Sequence, residues 1–186
     1  LLGRFNFLNL FNEPSTRTYL SFLRSAQLLG MNTGNVHGAA RFSSFAKGES
    51  IADAIRTYQE FGFNLLALRH GGDNGIYEAT SAATRMSVIN AGSGSKEHPT
   101  QALLDLYTIM ERFGNGRRDL KLTFVGDLLR GRTVKSLARL LANHSGTKFG
   151  PVHYMKLVGP GPLQSPQEIA EHAHNRGIRV ARYDQL

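Results

Sequence analysis

Cysteine is absent from all 186 residues, so neither a disulfide nor a thiolate metal site can form. That composition is compatible with a reducing compartment. Acidic residues are scarce too: 14 Asp and Glu against 22 Lys and Arg leave a formal net charge of +8. Such an excess points to anionic partners, whether nucleic acid, an acidic membrane face, or phosphorylated and carboxylated small molecules. Apart from Arg117-Arg118 the cations are dispersed, with no basic stripe interleaved with aromatics, which speaks against nucleic acid. No apolar run approaches the length that crosses a bilayer, and no signal-peptide pattern opens the chain, which speaks against a membrane. The fingerprints G-x-x-x-x-G-K-S/T, G-x-G-x-x-G after a strand, and G-x-S-x-G are all missing. The seven histidines are not paired with carboxylates at ligand spacing, and His172 and His174 face apart on one predicted helix, so no metal is expected. The chain opens on Leu1-Leu2-Gly3-Arg4 without Met and closes at Leu186 just past a predicted strand. It therefore reads as cut from something longer at both ends.

What is present is an alternation of apolar runs and helical periodicity. Strands are predicted at Phe5–Phe11, about Gly34–Gly38, Phe63–Leu68, Ser87–Asn90, Leu120–Val125, Tyr154–Val158 and Ile178–Ala181. Helices are predicted after Thr16, Ser50, Gly75, Pro99, Gly131 and Pro166. Ser50-Ile51-Ala52-Asp53 reads as a variant capping box. Ser165-Pro166-Gln167-Glu168 reads as a stronger one, on a helix ended by Gly177. Alternation of this kind predicts an α/β protein with two doubly wound parallel-sheet domains. Gly114-Asn115-Gly116 breaks the long helix after Pro99. The expected division is therefore a first domain over 1–114 and a second, incomplete one over 115–186.

Ligands in open α/β sheets bind outside the carboxyl ends of the strands. Four predicted strand ends carry polar groups that could converge on one crevice, the last of them Asp127 and Gly131-Arg132-Thr133 after Leu120–Val125. Ser15-Thr16-Arg17-Thr18 lies between a strand and a helix, where backbone N–H groups and the positive end of a helix dipole meet an anion. Three hydroxyls and a guanidinium at that turn suit a phosphate, although Ser15 would also serve as a plain N-cap. Arg69 closes the run Leu65–Leu68, where it needs either an anionic ligand or a local carboxylate. His98, at the N-cap of the long helix, suits donation to a carbonyl oxygen, action as an acid or base, or simple capping. Gln101 follows in the first turn, able to donate to and accept from an amide-like group. The loop Gly92-Ser93-Gly94-Ser95 permits close approach of backbone to a ligand, or is a flexible connector. The polar loop Arg41–Gly48 carries Ser43, Ser44 and Lys47 and could reach a neighbouring site.

Three ordered segments resemble the carbamoyltransferases. Phe11-Asn12-Glu13-Pro14-Ser15-Thr16-Arg17-Thr18 is similar to that family's carbamoyl-phosphate signature. His98-Pro99-Thr100-Gln101-Ala102-Leu103-Leu104-Asp105, and Gly126-Asp127-Leu128 with Gly131-Arg132-Thr133-Val134, resemble its aspartate branch, the aspartate carbamoyltransferases. The ornithine branch more often has cysteine at Thr100. The resemblance implies two α/β domains, one for carbamoyl phosphate and one for the amino acid. It implies that Ser15, Thr16, Arg17 and Thr18 bind phosphate, that Arg69, His98 and Thr18 polarise the carbamoyl oxygen, that Gln101 holds the carbamoyl NH₂, and that Arg132 binds an aspartate carboxylate. It further implies homotrimers in which Ser43 and Lys47 reach the adjacent subunit's site, with no metal or organic cofactor, in a cytoplasmic or organellar setting. A regulatory subunit or fused pathway enzymes are left open. Arg130 departs from the family's usual aromatic before Gly131, and Asn12 stands where an apolar or aromatic residue is common. Two rival readings remain: transfer to another amine such as ornithine, and a non-catalytic carbamoyl-phosphate-binding or assembly module.

Overall fold

Residues Asn6–Phe11 form the first strand, β1, and alternation splits its side chains between two cores. Leu8 and Leu10 pack with Ile51, Ile55, Leu66, Leu68 and Met86, whereas Phe7 and Phe11 pack with Ala26, Tyr19 and Phe22. A strand apolar on both faces requires helices on both sides of its sheet. The computed structural model describes residues 2–38, 44–114, 119–147 and 152–185. After β1 come α1 (Thr16–Leu28), β2 (Asn32–His37), a 3-10 turn (Ser44–Lys47), α2 (Ile51–Glu60), β3 (Leu65–His70), α3 (Gly75–Ala82) and β4 (Ser87–Ser93). The remainder is α4 (Pro99–Phe113), β5 (Leu120–Val125), α5 (Arg132–Asn143), β6 (Val152–Val158), a second 3-10 turn (Gly161–Leu163), α6 (Gln167–Asn175) and β7 (Arg179–Tyr183).

Every strand pairing is parallel, and the strands form two sheets, ordered β2-β1-β3-β4 and β5-β6-β7. In the first sheet the chain leaves β1 to one side, for β2, and returns past it to add β3 on the other. The gap between β1 and β3 is therefore the topological switch point, where such sheets bind ligands. The α/β class with parallel sheets is as the alternation predicts, and the second sheet has three strands.

The chain divides into two units, the first ending at Gly94 and the second starting at Ser95. Helix α4 goes with the second, because Ala102 and Leu106 are buried in the core built from Leu128, Leu137, Ala138, Leu141, Met155 and Leu157. A division after residue 114 would instead group that helix with the first unit; its apolar stripe requires a core without saying which one. In the second unit Leu122, Phe124, Met155, Leu157 and Val180 point into the core, while Lys121, Thr123 and Lys156 alternate onto the opposite sheet face.

The two expected capping boxes behave oppositely. Ser50 Oγ accepts from Asp53 N–H at 3.1 Å and donates to its carboxylate at 2.7 Å. That hydroxyl, more than Arg56, holds the Asp53 carboxyl below its ordinary range. The Ser165 box does not form: Pro166 is the N-cap of α6, and Ser165 Oγ donates to the Pro166 carbonyl instead. Ser165 is buried, and its own carbonyl accepts from Arg182 Nη2 at 2.6 Å, so β7 fixes the approach to the helix. Gly177 closes α6 with a φ of 85°, a left-handed position that suits glycine.

Candidate active site

The carboxyl ends of β1, β3 and β4 carry the first group of predicted residues. Ser15 is the N-cap of α1, extended at φ −166°, ψ 98°, and its hydroxyl caps no backbone N–H of the helix. Plain capping therefore does not account for this serine. The first bond of α1 runs from Tyr19 N–H to Ser15 O, so the N–H groups of Thr16, Arg17 and Thr18 lie in the opening turn ahead of it. No acidic side chain occupies that turn, and Thr16 and Arg17 are exposed. A cationic side chain, hydroxyls and helix N–H groups are thus presented together at the switch point.

Arg69 stands beside this turn. It is in register with Phe11, and Asn12 N–H donates to its carbonyl at 2.8 Å. Its Nε lies 2.6 Å from Glu13 Oε1, with the two side chains only 11% and 25% exposed. The N–H is not aligned on that oxygen, so the contact is ionic rather than a directed hydrogen bond. A local carboxylate thus holds the guanidinium at the end of β3, the alternative its position in the sequence left open.

The Gly-Ser segment is part of the sheet. Strand β4 runs on to Ser93, beyond the predicted end at Asn90, and Ala91, Gly92 and Ser93 are buried. Asn90 braces the extension, its Oδ1 accepting from Gly92 N–H at 2.9 Å and its Nδ2 donating to Ser93 Oγ at 3.2 Å. Gly94 N–H donates to His70 O at 3.0 Å, tying the end of β4 to the end of β3. Gly94 has a φ of 45°, and a Cβ there would collide with the Asp73 carboxylate. At the opposite end of this unit an open pocket of about 450 Å³ is lined by Arg56, Thr57, Gln59, Glu60, Ala82 and Thr84. The buried Gln59 carbonyl oxygen there accepts from Thr84 and Arg85 N–H, which makes it a structural brace.

The second group lies in the second unit. His98 is the N-cap of α4, 6% exposed, and its side chain makes no capping bond. Its Nδ1 is 3.4 Å from Thr100 Oγ1. Its backbone N–H donates to Ser136 Oγ of α5 at 2.9 Å, a bond buried on both sides. Arg132 opens α5 one turn before Ser136, so a single helix both carries Arg132 and anchors His98. Gln101 Nε2 donates to Asp105 Oδ1 at 2.9 Å, which orients the amide and makes its Oε1 the acceptor side. Asp127 Oδ1 accepts from Arg130 N–H at 2.9 Å, while Leu128 and Leu129 N–H both donate to Leu163 O, fixing the turn before Arg132. Ser136→Ala would leave the buried His98 N–H without its acceptor. We expect a loss of about 1–3 kcal/mol in urea unfolding; unchanged stability would show that the bond carries no weight.

The family model of the aspartate/ornithine carbamoyltransferase carbamoyl-P binding domain matches residues 1–111. The chain belongs to the aspartate/ornithine carbamoyltransferase family. It is 43% identical over 177 residues to the aspartate carbamoyltransferase catalytic subunit of Methanococcus maripaludis, covering 91% of this chain and 55% of that protein. It is 40% identical over 169 residues to the chloroplastic aspartate carbamoyltransferase 1 of Pisum sativum, covering 91% and 42%. Aspartate transcarbamoylase of Trypanosoma cruzi, solved with carbamoyl aspartate and phosphate, superposes at a TM-score of 0.85 with 36% identity, over 98% of this chain and 57% of that one. The chain thus spans about half the length of the relatives it matches.

In this carbamoyltransferase-family chain Lys47 ends an exposed 3-10 turn that Phe45 pins to the first unit's core. Ser43 lies outside the described residues. Arg130, the departure from the family pattern, projects into solvent with its guanidinium 3.5 Å from Asp127. Among the described residues no helix is long and apolar enough to cross a membrane. Sequence reasoning did not single out Glu13, Asp105 or Ser136. Only Asp105, four residues after Gln101, carried a readable signal, the i,i+4 spacing.

Proposed function

We propose that the parent protein is an aspartate carbamoyltransferase, moving the carbamoyl group from carbamoyl phosphate to the amino group of L-aspartate. The products are N-carbamoyl-L-aspartate and phosphate, an early step of de novo pyrimidine biosynthesis. The observation that carries this reading is the Ser15–Thr18 turn at the switch point, with Arg69 at the adjoining strand end. Residues 1–114 would serve carbamoyl phosphate, and 115–186 would open the aspartate domain.

The chemistry follows from the groups present. The aspartate amine attacks the carbamoyl carbon, the carbon–oxygen bond to phosphate breaks, and the departing phosphate accepts the amine proton. Negative charge builds on the carbamoyl oxygen during attack, so Arg69, His98 and the Thr18 hydroxyl are assigned as its donors. Gln101 accepts from the carbamoyl NH₂ through its Oε1, its Nε2 being engaged by Asp105. Arg17, Ser15, Thr16 and the α1 N–H groups neutralise the phosphate as it leaves. Arg132 takes an aspartate carboxylate as a fork. Binding two anions in register supplies much of the remaining acceleration.

Steady-state assay of the full-length protein with carbamoyl phosphate and either aspartate or ornithine tests this reading. Turnover with aspartate is expected. Turnover with ornithine alone would overturn the choice of amine, and phosphate-dependent thermal stabilisation without turnover would indicate a binding module.

A homotrimer with shared active sites follows from the same reading, with Ser43 and Lys47 contributed across the subunit boundary in a cytoplasmic or organellar enzyme. Lys47→Ala is expected to depress activity in uniform trimers and to be rescued when mixed with Arg17→Ala chains, since some sites then contain both wild-type groups. Absence of rescue would argue against sharing.

A further inference from the structure

We infer that Asn9 is a positioning residue for the anion turn: its side chain fixes the first turn of α1 on β1 and so aims Ser15–Thr18. This rests on the reading of that turn as phosphate-binding. Asn9 is 0% exposed, in the interior of the strand, paired in register with Asn35 on one side and Ala67 on the other. Alternation puts it on the same face as Phe7 and Phe11, toward α1. An apolar residue would fill that position without the penalty of burying an amide. The amide Nδ2 donates to the Tyr19 carbonyl at 3.0 Å, and Oδ1 is buried with no hydrogen-bond partner among the described residues. The side chain therefore contributes a single directed bond, and that bond goes to the helix rather than to a neighbouring strand.

Its target is the residue that also carries the turn. Tyr19 N–H makes the first bond of α1, to Ser15 O. One peptide group away, the Tyr19 carbonyl is held by Asn9. The path from the centre of the sheet to the N-cap is thus two hydrogen bonds long. Aromatic contacts also join helix to sheet, Phe7 with Phe22 at 6.4 Å and Phe11 with Tyr19 at 5.4 Å between ring centroids. Ring contacts tolerate sliding and rotation, whereas a hydrogen bond weakens steeply off line. Asn9 therefore sets the rotation and height of α1 against β1, and with them the direction of the Thr16, Arg17 and Thr18 N–H groups.

The test uses the full-length protein, with calorimetric titration of carbamoyl phosphate and of inorganic phosphate into wild type and Asn9→Leu. Leucine matches the amide in size and removes both the Nδ2 donor and the Oδ1 acceptor, of which only Nδ2 makes a bond. The expected result is a Kd for both anions raised about tenfold, a KM for carbamoyl phosphate raised in parallel, little change in kcat, and an unchanged or higher Tm. A purely structural asparagine would move Tm and leave the anion affinity alone; wild-type affinity in the folded variant overturns the inference. If Asn9→Leu does not fold, Asn9→Ser, whose hydroxyl is too short to reach the Tyr19 oxygen, carries the same comparison with the same two outcomes. Wild-type protein that binds neither anion would overturn the phosphate reading itself, and the positioning role with it.

Discussion

Replacing Arg17 by alanine is expected to weaken carbamoyl-phosphate binding about a hundredfold while leaving the fold intact. Arg17 is exposed in the opening turn of α1, and no core cluster includes it, so its removal opens no cavity. In the proposed complex its guanidinium forms charge-assisted bonds to phosphate oxygens at a helix N-terminus. Truncating one partner of such a desolvated pair costs about 2–5 kcal/mol; about 3 kcal/mol corresponds to that hundredfold. The neighbouring hydroxyls and N–H groups remain, which is why binding should fall rather than vanish at high ligand. Calorimetry and thermal melting would be run together. Unchanged affinity would remove Arg17 from the site, and a large fall in Tm would mean that its role lies in folding.

Phe11→Ala is the substitution with the largest expected effect on stability. Phe11 is fully buried, its ring edge-on to Tyr19, which in turn lies 4.8 Å from the His37 ring. Large-to-small changes at such sites cost about 3–5 kcal/mol, because the cavity collapses only in part. Phe11 ends β1 with three residues between it and the proposed anion turn, so the loss should also loosen the base of α1. Denaturant unfolding of the first unit should show the full penalty, with a weaker phosphate response in the same sample. A loss below about 1 kcal/mol would mean that the surroundings refill the space.

Much of the architecture was legible because it rests on periodicity. Leu8 and Leu10 alternating with Phe7 and Phe11 announce a strand buried on both faces, and Tyr19, Phe22 and Ala26 announce the helix that covers one of them. The end of β4 was not legible: Gly92-Ser93-Gly94 reads locally as a breaker, but Asn90 braces it through bonds two and three residues along the chain, and His70 binds it through a contact that only the fold creates. Ser165 failed as a cap for a related reason, since burial against Arg182 outweighed its local preference. The proposed anion turn stood out in the sequence because its chemistry is contiguous, four residues from Ser15 to Thr18. Its supports did not, because Asn9 within an apolar run, Glu13 before a proline and Ser136 within a helix show no local pattern.

The order of the first sheet also bears on when the proposed anion site comes into being. Pairing of β1 with β2 joins residues 26 apart, whereas the contacts that bring β1 to β3 span 58. Closure over longer loops is entropically dearer and kinetically slower. A chain leaving the ribosome can therefore build β1, α1 and β2, complete with the Ser15–Thr18 turn, before Arg69 has been synthesised. The crevice between β1 and β3 is created only by the most distant strand pairing of its unit. With the proposed phosphate site in that crevice, phosphate in the buffer should favour the closed pairing of β1 with β3 and raise Tm.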